Sequence, residues 1–531
     1  MLTIFRPICI INVISGNISI FTVDVISDSG GSILIKRITT LFLVVCIIFS
    51  FVACSGNGSG NDNKRETMAN PSVTSKDDIV YEEDDLPDSL DFGGESIIIL
   101  VLDEKDDGIS DGEILADELT SDIINDSIYN RELFVETRLG VEIVPAKVEQ
   151  SNYNIELDKM FNADDNLYQI CAAKTVSFAP YSFDKVLTDL YAVEYIDLEK
   201  PWWSQYFAEK AEVEDCLYLS TGSLALSLTR FLFVVFYNKQ MAEDYSLTYP
   251  ELTELYSIVE NGDWTYDLFY SLGSEIYSNV NGDNERDVED VYGIGFLNGI
   301  DIDAIWSSFD LNIYSRTEDG WFEFDVNTDK VFSALERIRV LIHETDGCFV
   351  PELQSDGGLD DLSEKFASGS LLFMVNKIHA AESPTLRNMQ DEYGIIPFPK
   401  YDSHQKDYYS YAHDQYLSFA IPVTNPNPDI AAAVLEAMAS YSYRETHPAY
   451  LDIALKGKYM SDIQSRRMID RIVAGFKLDS SWIFAAKFGN IGEEYRYSVG
   501  ANSSSYSQQY AKIKKQIEAR FKVARIEFNK K

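Results

Sequence analysis

Rings set beside hydrogen-bonding groups are the most suggestive chemistry in this sequence, which holds 6 Trp and 32 Tyr. The loop Lys174-Thr175-Val176-Ser177-Phe178-Ala179-Pro180-Tyr181 follows an apolar run that reads as a buried strand. Ligands of open α/β sheets sit at the carboxyl ends of strands, so Lys174, Ser177 and Tyr181 are candidate contacts. Thr221-Gly222-Ser223 adds a glycine that permits close backbone approach, making Gly222 and Ser223 further candidates. The segment Tyr408 to Tyr416 (YYSYAHDQY) places Tyr411, Asp414 and Gln415 together, joining a ring, an acceptor and an amide. Such a mixture suits a neutral ligand with apolar faces and many hydroxyls, a description that fits a sugar. A solvated loop whose tyrosines pack locally is the plainer reading of the same segment.

Metal and catalytic signals are weaker. Asn279, Asn281, Asp283 and Asp290 fall at positions 1, 3, 5 and 12 of an EF-hand-like loop, the hard-oxygen pattern that calcium wants. Asn at position 1, Asp at 12 and Asn284 at the usual glycine position depart from that pattern, leaving a bare acidic turn as the alternative. No other cofactor is indicated. The sequence has no G-x-S-x-G elbow, H-E-x-x-H or P-loop, and His343, His379, His404, His413 and His447 show no metal or triad spacing. The chain is therefore not expected to be an enzyme, although its abundant carboxylates leave a secreted acidic glycoside hydrolase as the alternative.

The 531 residues carry 44 Lys+Arg against 86 Asp+Glu, a formal charge of −42. That sign excludes a nucleic-acid footprint and disfavours adsorption of the folded surface to anionic lipid. With 46% hydrophobic and 13% aromatic residues, a large core is available, and the length allows two or three domains. Lys36 and Arg37 precede the 13-residue apolar run Leu41 to Ala53, which is too short to span a membrane but right for an export signal. Phe51-Val52-Ala53-Cys54 resembles a bacterial lipobox, with Phe51 where Leu is usual. The resemblance implies lipid on Cys54, cleavage before it, and anchorage at the extracellular face of the cell membrane. Residues 1 to 35 fit no signal and read as an over-extended translation start. Removing 1–53 takes away three basic and two acidic residues, so the exported part has 41 against 84, a charge of −43. Cys171, Cys216 and Cys348 are too scattered for a disulfide framework and are expected to be free.

These residues need a scaffold. Residues 54–92 read as a flexible acidic tether, rich in Gly, Ser, Asn and Asp, with the run Glu82-Glu83-Asp84-Asp85 repelling itself. Order begins with the buried-strand run Ser96 to Leu102, followed by a helix over 121–139 stopped by Gly140, a strand at 141–144, a helix near 154–161 and a strand at 167–172. Strands are further predicted at 230–237, 370–375 and 417–422, and helices at 329–343, 428–443 and 506–528. Alternation of this kind predicts α/β architecture with a mostly parallel sheet. Strands that return after a helical insert suggest two lobes visited alternately.

Several segments, in order, resemble the extracellular solute-binding proteins of carbohydrate ABC importers in their large lipoprotein branch. They are Asn125 to Val144, Glu199 to Trp203, Asn238-Lys239, Gly262 to Thr265, Asp290 to Gly293, Tyr393 to Pro399 and Pro448 to Asp462. The resemblance implies a two-lobed periplasmic-binding-protein-like fold of type II with a ligand cleft between lobes. By it, 93–227 with 416–445 form lobe 1, and 228–415 with 446–531 form lobe 2. It places Trp306 where such proteins set a stacking residue, and it puts Gly222, Ser223 and the tyrosine-rich segment beside the crossings. The implied partners are a carbohydrate and ABC permease subunits, with a monomeric chain held to the membrane by its lipid. A non-sugar ligand-sensing protein of the same fold is the remaining alternative.

Overall fold

The computed structural model describes residues 8–14, 17–23, 81–103, 111–283, 285–354, 359–452, 455 and 463–530. Cys54 and the signal run lie outside the described residues. The chain divides into two compact units, Met1–Asp78 and Ile79–Lys531. In the first, Ile8–Ile14 pairs antiparallel with Asn17–Val23. No helix among the described residues is long and apolar enough to cross a membrane.

The second unit is built on two sheets. The strands of the first are β1 (Glu95–Leu102), β2 (Val141–Val148) and β3 (Ile170–Lys174). The second uses β4 (Phe233–Asn238), β5 (Val291–Gly295), β6 (Cys348–Phe349), β7 (Leu371–Lys377) and β8 (Tyr393–Pro397). The late strand β9 (Leu417–Ala420) returns to the first sheet, whose order is β9-β3-β1-β2, while the second runs β6-β5-β7-β4-β8. All residues of β4 and β7 are buried, as expected of strands covered on both faces.

The sheets are mixed, where sequence alternation predicted mostly parallel ones. β1 runs parallel to β2 and β3, but β9 is antiparallel to β3, and β4 is antiparallel to both β7 and β8. The exceptions, β4 and β9, are the strands that follow a crossing from the other lobe, so they need not obey the direction that a local strand-helix-strand unit imposes.

Helix α1 (Ile123–Leu139) begins at Asp122, whose carboxylate accepts from Ile124 N at 3.0 Å, and ends at Gly140 with φ 61°. Only glycine takes that left-handed turn without strain. Further helices are α2 (Gln150–Ala163), α3 (Thr175–Phe178), α4 (Gln205–Ala211), α5 (Ala304–Ser308), α6 (Thr328–Glu344) and α7 (Pro428–Tyr441). The chain ends in α8 (Ile463–Ala474), α9 (Ser480–Ile483), α10 (Ile491–Gly500) and α11 (Tyr506–Phe528).

The acidic segment expected to be a free tether through residue 92 is anchored from Tyr81 onward. Tyr81 meets Tyr443 edge-on at 5.4 Å, Leu86 is buried, and Asp84 pairs with Arg138 at 2.6 Å. Lys200 holds Glu82 and Asp85, each at 2.6 Å. Arg444 lies 3.7 Å from Glu83, so the mutual repulsion of the acidic run is relieved by three cations of the folded body. Cys171, Cys216 and Cys348 are free.

Candidate functional site

The two lobes are joined where crossing segments lie side by side. Phe233 N donates to Tyr411 O at 2.9 Å and His413 N to Phe231 O at 3.0 Å. Leu417 N donates to Ser227 Oγ at 3.1 Å, and Thr221 Oγ1 to Leu417 O at 2.7 Å. A later segment joins them: Ser410 N reaches Gly475 O at 2.8 Å, and Lys477 N reaches Ser410 O at 3.0 Å. Buried charge ties this region together. Glu113 accepts from Ser227 N and Oγ at 2.7 and 2.8 Å, and Glu382 binds Arg230 through two bonds of 3.2 Å and the Tyr450 hydroxyl at 2.8 Å. Burial pushes Glu113 up to about 7 despite Arg230 and Arg131 nearby.

Beside the crossings stands a chain of rings. Tyr411 stacks on Phe233 at 6.0 Å and 14°, and meets Trp482 of α9 at 5.2 Å. Trp482 touches Trp306 of α5 at 6.3 Å, and Trp306 stacks on Tyr495 of α10 at 6.2 Å and 23°. Gly492 makes the packing possible, because a Cβ there would run into the Trp482 ring. The polar tips of these rings, Tyr411 Oη, Trp482 Nε1, Trp306 Nε1 and Tyr495 Oη, are all buried without a hydrogen-bond partner among the described residues. Each such tip costs about 1–3 kcal/mol in an apolar surrounding.

Charged groups border the rings. Asp303, just before α5, pairs through Oδ2 with Arg496 of α10, whereas its Oδ1 is buried and has no partner among the described residues. Burial lifts Asp303 to about 8, against the pull of Arg496 and with Asp414 adding repulsion. Asp414 is also raised by burial, opposed by the Gln415 amide at 3.3 Å and by the charges of Arg496 and Lys174. Burial lifts Asp301 to about 8 as well, while its carboxylate accepts from Leu297 N at 2.8 Å.

The predicted site residues therefore divide. Trp306, Tyr411, Asp414 and Gln415 come together in or beside the ring cluster. Lys174 ends β3, is buried, donates to Gln150 at the start of α2 and influences Asp414 electrostatically. Ser177 lies on α3, against which α9 packs. Tyr181 packs on Phe161 and Phe178 and donates to Asp158 of α2 at 2.9 Å. Gly222 packs on the Trp202 and Trp203 backbone, and Ser223 N donates to Trp202 O at 2.8 Å, so both serve lobe packing. Trp202, Trp203 and Trp264 are buried; Trp203 Nε1 donates to Glu436 and Trp264 Nε1 to Pro397 O.

The calcium reading of 279–290 does not match the geometry. Asp290 is buried and accepts from the Tyr277 hydroxyl at 2.8 Å and Val280 N at 3.0 Å. Asn279 and Asn281 accept from the backbone N–H groups of Gly282 and Asp283, and Asp283 accepts from Glu285 N. These oxygens cap their own turn, which satisfies the local backbone instead of converging on an ion. Among the described residues no group of three or more His, Cys, Asp or Glu is arranged to hold a metal.

Trp482, Tyr495, Asp303 and Arg496 were not singled out by sequence. Trp482 was visible as one of 6 Trp, but no local motif marks it.

No protein-family model matches the chain, and no curated protein matches it. Solved structures do match, at low identity. A cyclo/maltodextrin-binding protein complexed with maltotetraose superposes with a TM-score of 0.52 at 11% identity, covering 81% of this chain and 97% of that one. UspC of M. tuberculosis gives 0.52 at 13%, covering 80% and 100%. The maltose/maltodextrin-binding domain MalE of Bdellovibrio bacteriovorus, bound to maltotriose, gives 0.50 at 11%, covering 80% and 100%. The two that are named for a ligand are binding proteins. With two sheets, antiparallel return strands and paired crossings, this chain has the two-lobed, periplasmic-binding-protein-like α/β fold that the sequence resemblance implied.

Proposed function

We propose that the chain is an extracellular binding protein that captures a sugar or oligosaccharide between its lobes and hands it to the permease of an ABC importer. The observation that carries this reading is the ring chain Tyr411-Trp482-Trp306-Tyr495, whose polar tips are buried and unpartnered beside the crossings. Ring faces stack on pyranose C–H faces, an indole N–H donates to a sugar hydroxyl, and a phenol O–H donates to or accepts from one. Asp303 Oδ1 supplies an acceptor of the kind that sugar hydroxyls need. The crossings are the hinge about which the lobes open to admit the ligand and close upon it.

Lipid on Cys54, a single copy of the chain and residence on the outer face of the cell membrane complete the proposal. The lipobox-like Phe51 to Cys54 and the acidic stretch after it support that setting. Isothermal titration of the full chain in mild detergent against mono- and oligosaccharides tests the reading. Saturable 1:1 binding of at least one saccharide is expected, and no binding by a folded sample would overturn the sugar assignment.

A further inference from the structure

A cavity of about 630 Å³ lies outside the ring cluster and shares no lining residue with it. Three segments form it. Tyr206 comes from α4; Asp407, Tyr408 and Tyr409 precede the crossing at Ser410; Arg467, Arg471 and Lys477 belong to α8 and the segment after it. The floor is rigid, because Ser410 is bonded to Gly475 and Lys477 on either side. Gly475 allows that approach, since a Cβ there would lie 2.7 Å from Tyr408 O.

The lining is unusual for a chain of charge −42. It brings two guanidinium groups and an ammonium group together with three tyrosine rings, against the single carboxylate of Asp407. The cations differ in how far they are already engaged. Lys477 is paired with Asp310 and sits 4.2 Å over the Tyr409 ring. Among the described residues the one ion pair of Arg467 is a 3.9 Å contact with Glu260, and both side chains are well exposed. Arg471 lies 5.9 Å from the Tyr408 ring and has no ion pair among the described residues. Guanidinium groups present planar forks to phosphate or carboxylate oxygens, and rings beside them accept a flat or pyranose face.

We propose that this cavity is a second ligand site, taking a small anion that carries a ring, of the aryl phosphate or sugar phosphate type. Arg467 and Arg471 bind the anionic group, and Tyr206 and Tyr409 flank the ring.

Calorimetry of the full chain with phenyl phosphate, inorganic phosphate and phenol tests the assignment with probes that are not sugars, and variants confined to the cavity lining separate it from the ring cluster, with which it shares no residue. Phenyl phosphate is expected to bind 1:1, at least tenfold tighter than inorganic phosphate or phenol. In the double variant Arg467→Gln, Arg471→Gln that affinity falls at least tenfold, while the melting temperature, read in parallel, stays within a few degrees. Absence of saturable phenyl phosphate binding, or equal affinity in the folded double variant, would overturn the proposal.

Discussion

At the scale of single residues, the proposed site rests on polar atoms of four packed rings that are buried and have no partner among the described residues. Tyr411 shows the trade most clearly, since its ring packs between Phe233 and Trp482 while its hydroxyl has no hydrogen-bond partner among the described residues. Tyr411→Phe keeps the packing and removes the unsatisfied group. It should leave the melting temperature unchanged or raise it, yet weaken sugar binding about tenfold. Thermal melts and calorimetry on the same sample check both halves, and a loss of stability without a loss of affinity would assign Tyr411 to the core. The sequence made Tyr411, Asp414 and Trp306 legible because ring, acid and amide cluster locally or match a family position. Asp303 and Arg496 were not legible, being two among 86 acids and 44 bases that come together only in three dimensions.

At the scale of elements, tight approaches decide what can be changed. Gly222 lies so close to the Trp202 carbonyl that any side chain must displace it, and an added Cβ would also lie 2.9 Å from Trp203 Cα. Gly222→Ala should cost about 1–3 kcal/mol in chemical denaturation, and an unchanged midpoint would show that this turn yields. Gly140→Ala, at φ 61°, should cost about 1–2 kcal/mol in the same assay. Long amphipathic helices were the most legible elements. The predicted 506–528 coincides with α11, whose buried Ile513, Ile517, Phe521, Ala524 and Phe528 repeat at helical spacing. The apolar run 230–237 has the pattern of one strand, but Arg230 ends a short helix and only Phe233–Asn238 is strand. Hydrophobicity alone does not separate a buried crossing from a buried strand. Strand direction was illegible for a similar reason, because β9 and β3 meet across more than two hundred residues.

For the whole molecule, buried carboxylates set a pH dependence. Burial raises Glu113, Glu132 and Glu436 to about 7, and Asp301 and Asp303 to about 8. A carboxyl with a raised folded pKa holds its proton better folded than unfolded. Its contribution is full below the ordinary value of 4.5 for Glu or 3.8 for Asp, and is lost as pH climbs through 7 to 8. The melting temperature should therefore fall by several degrees between pH 5 and pH 8.5, with Glu113→Gln flattening part of the slope, and scanning calorimetry would expose a flat profile as a contradiction. The excess of acids over bases adds to the same trend through self-repulsion.

In the proposed function a sugar is held between the lobes by the ring cluster. A crystal structure of the chain with its best-binding saccharide tests this most directly. The expected complex has a pyranose ring against Trp306 or Trp482, with hydroxyls within hydrogen-bond reach of Tyr411 Oη and Asp303 Oδ1. A saccharide seated elsewhere, with those four rings still packed on one another and their polar tips unpartnered, would contradict it.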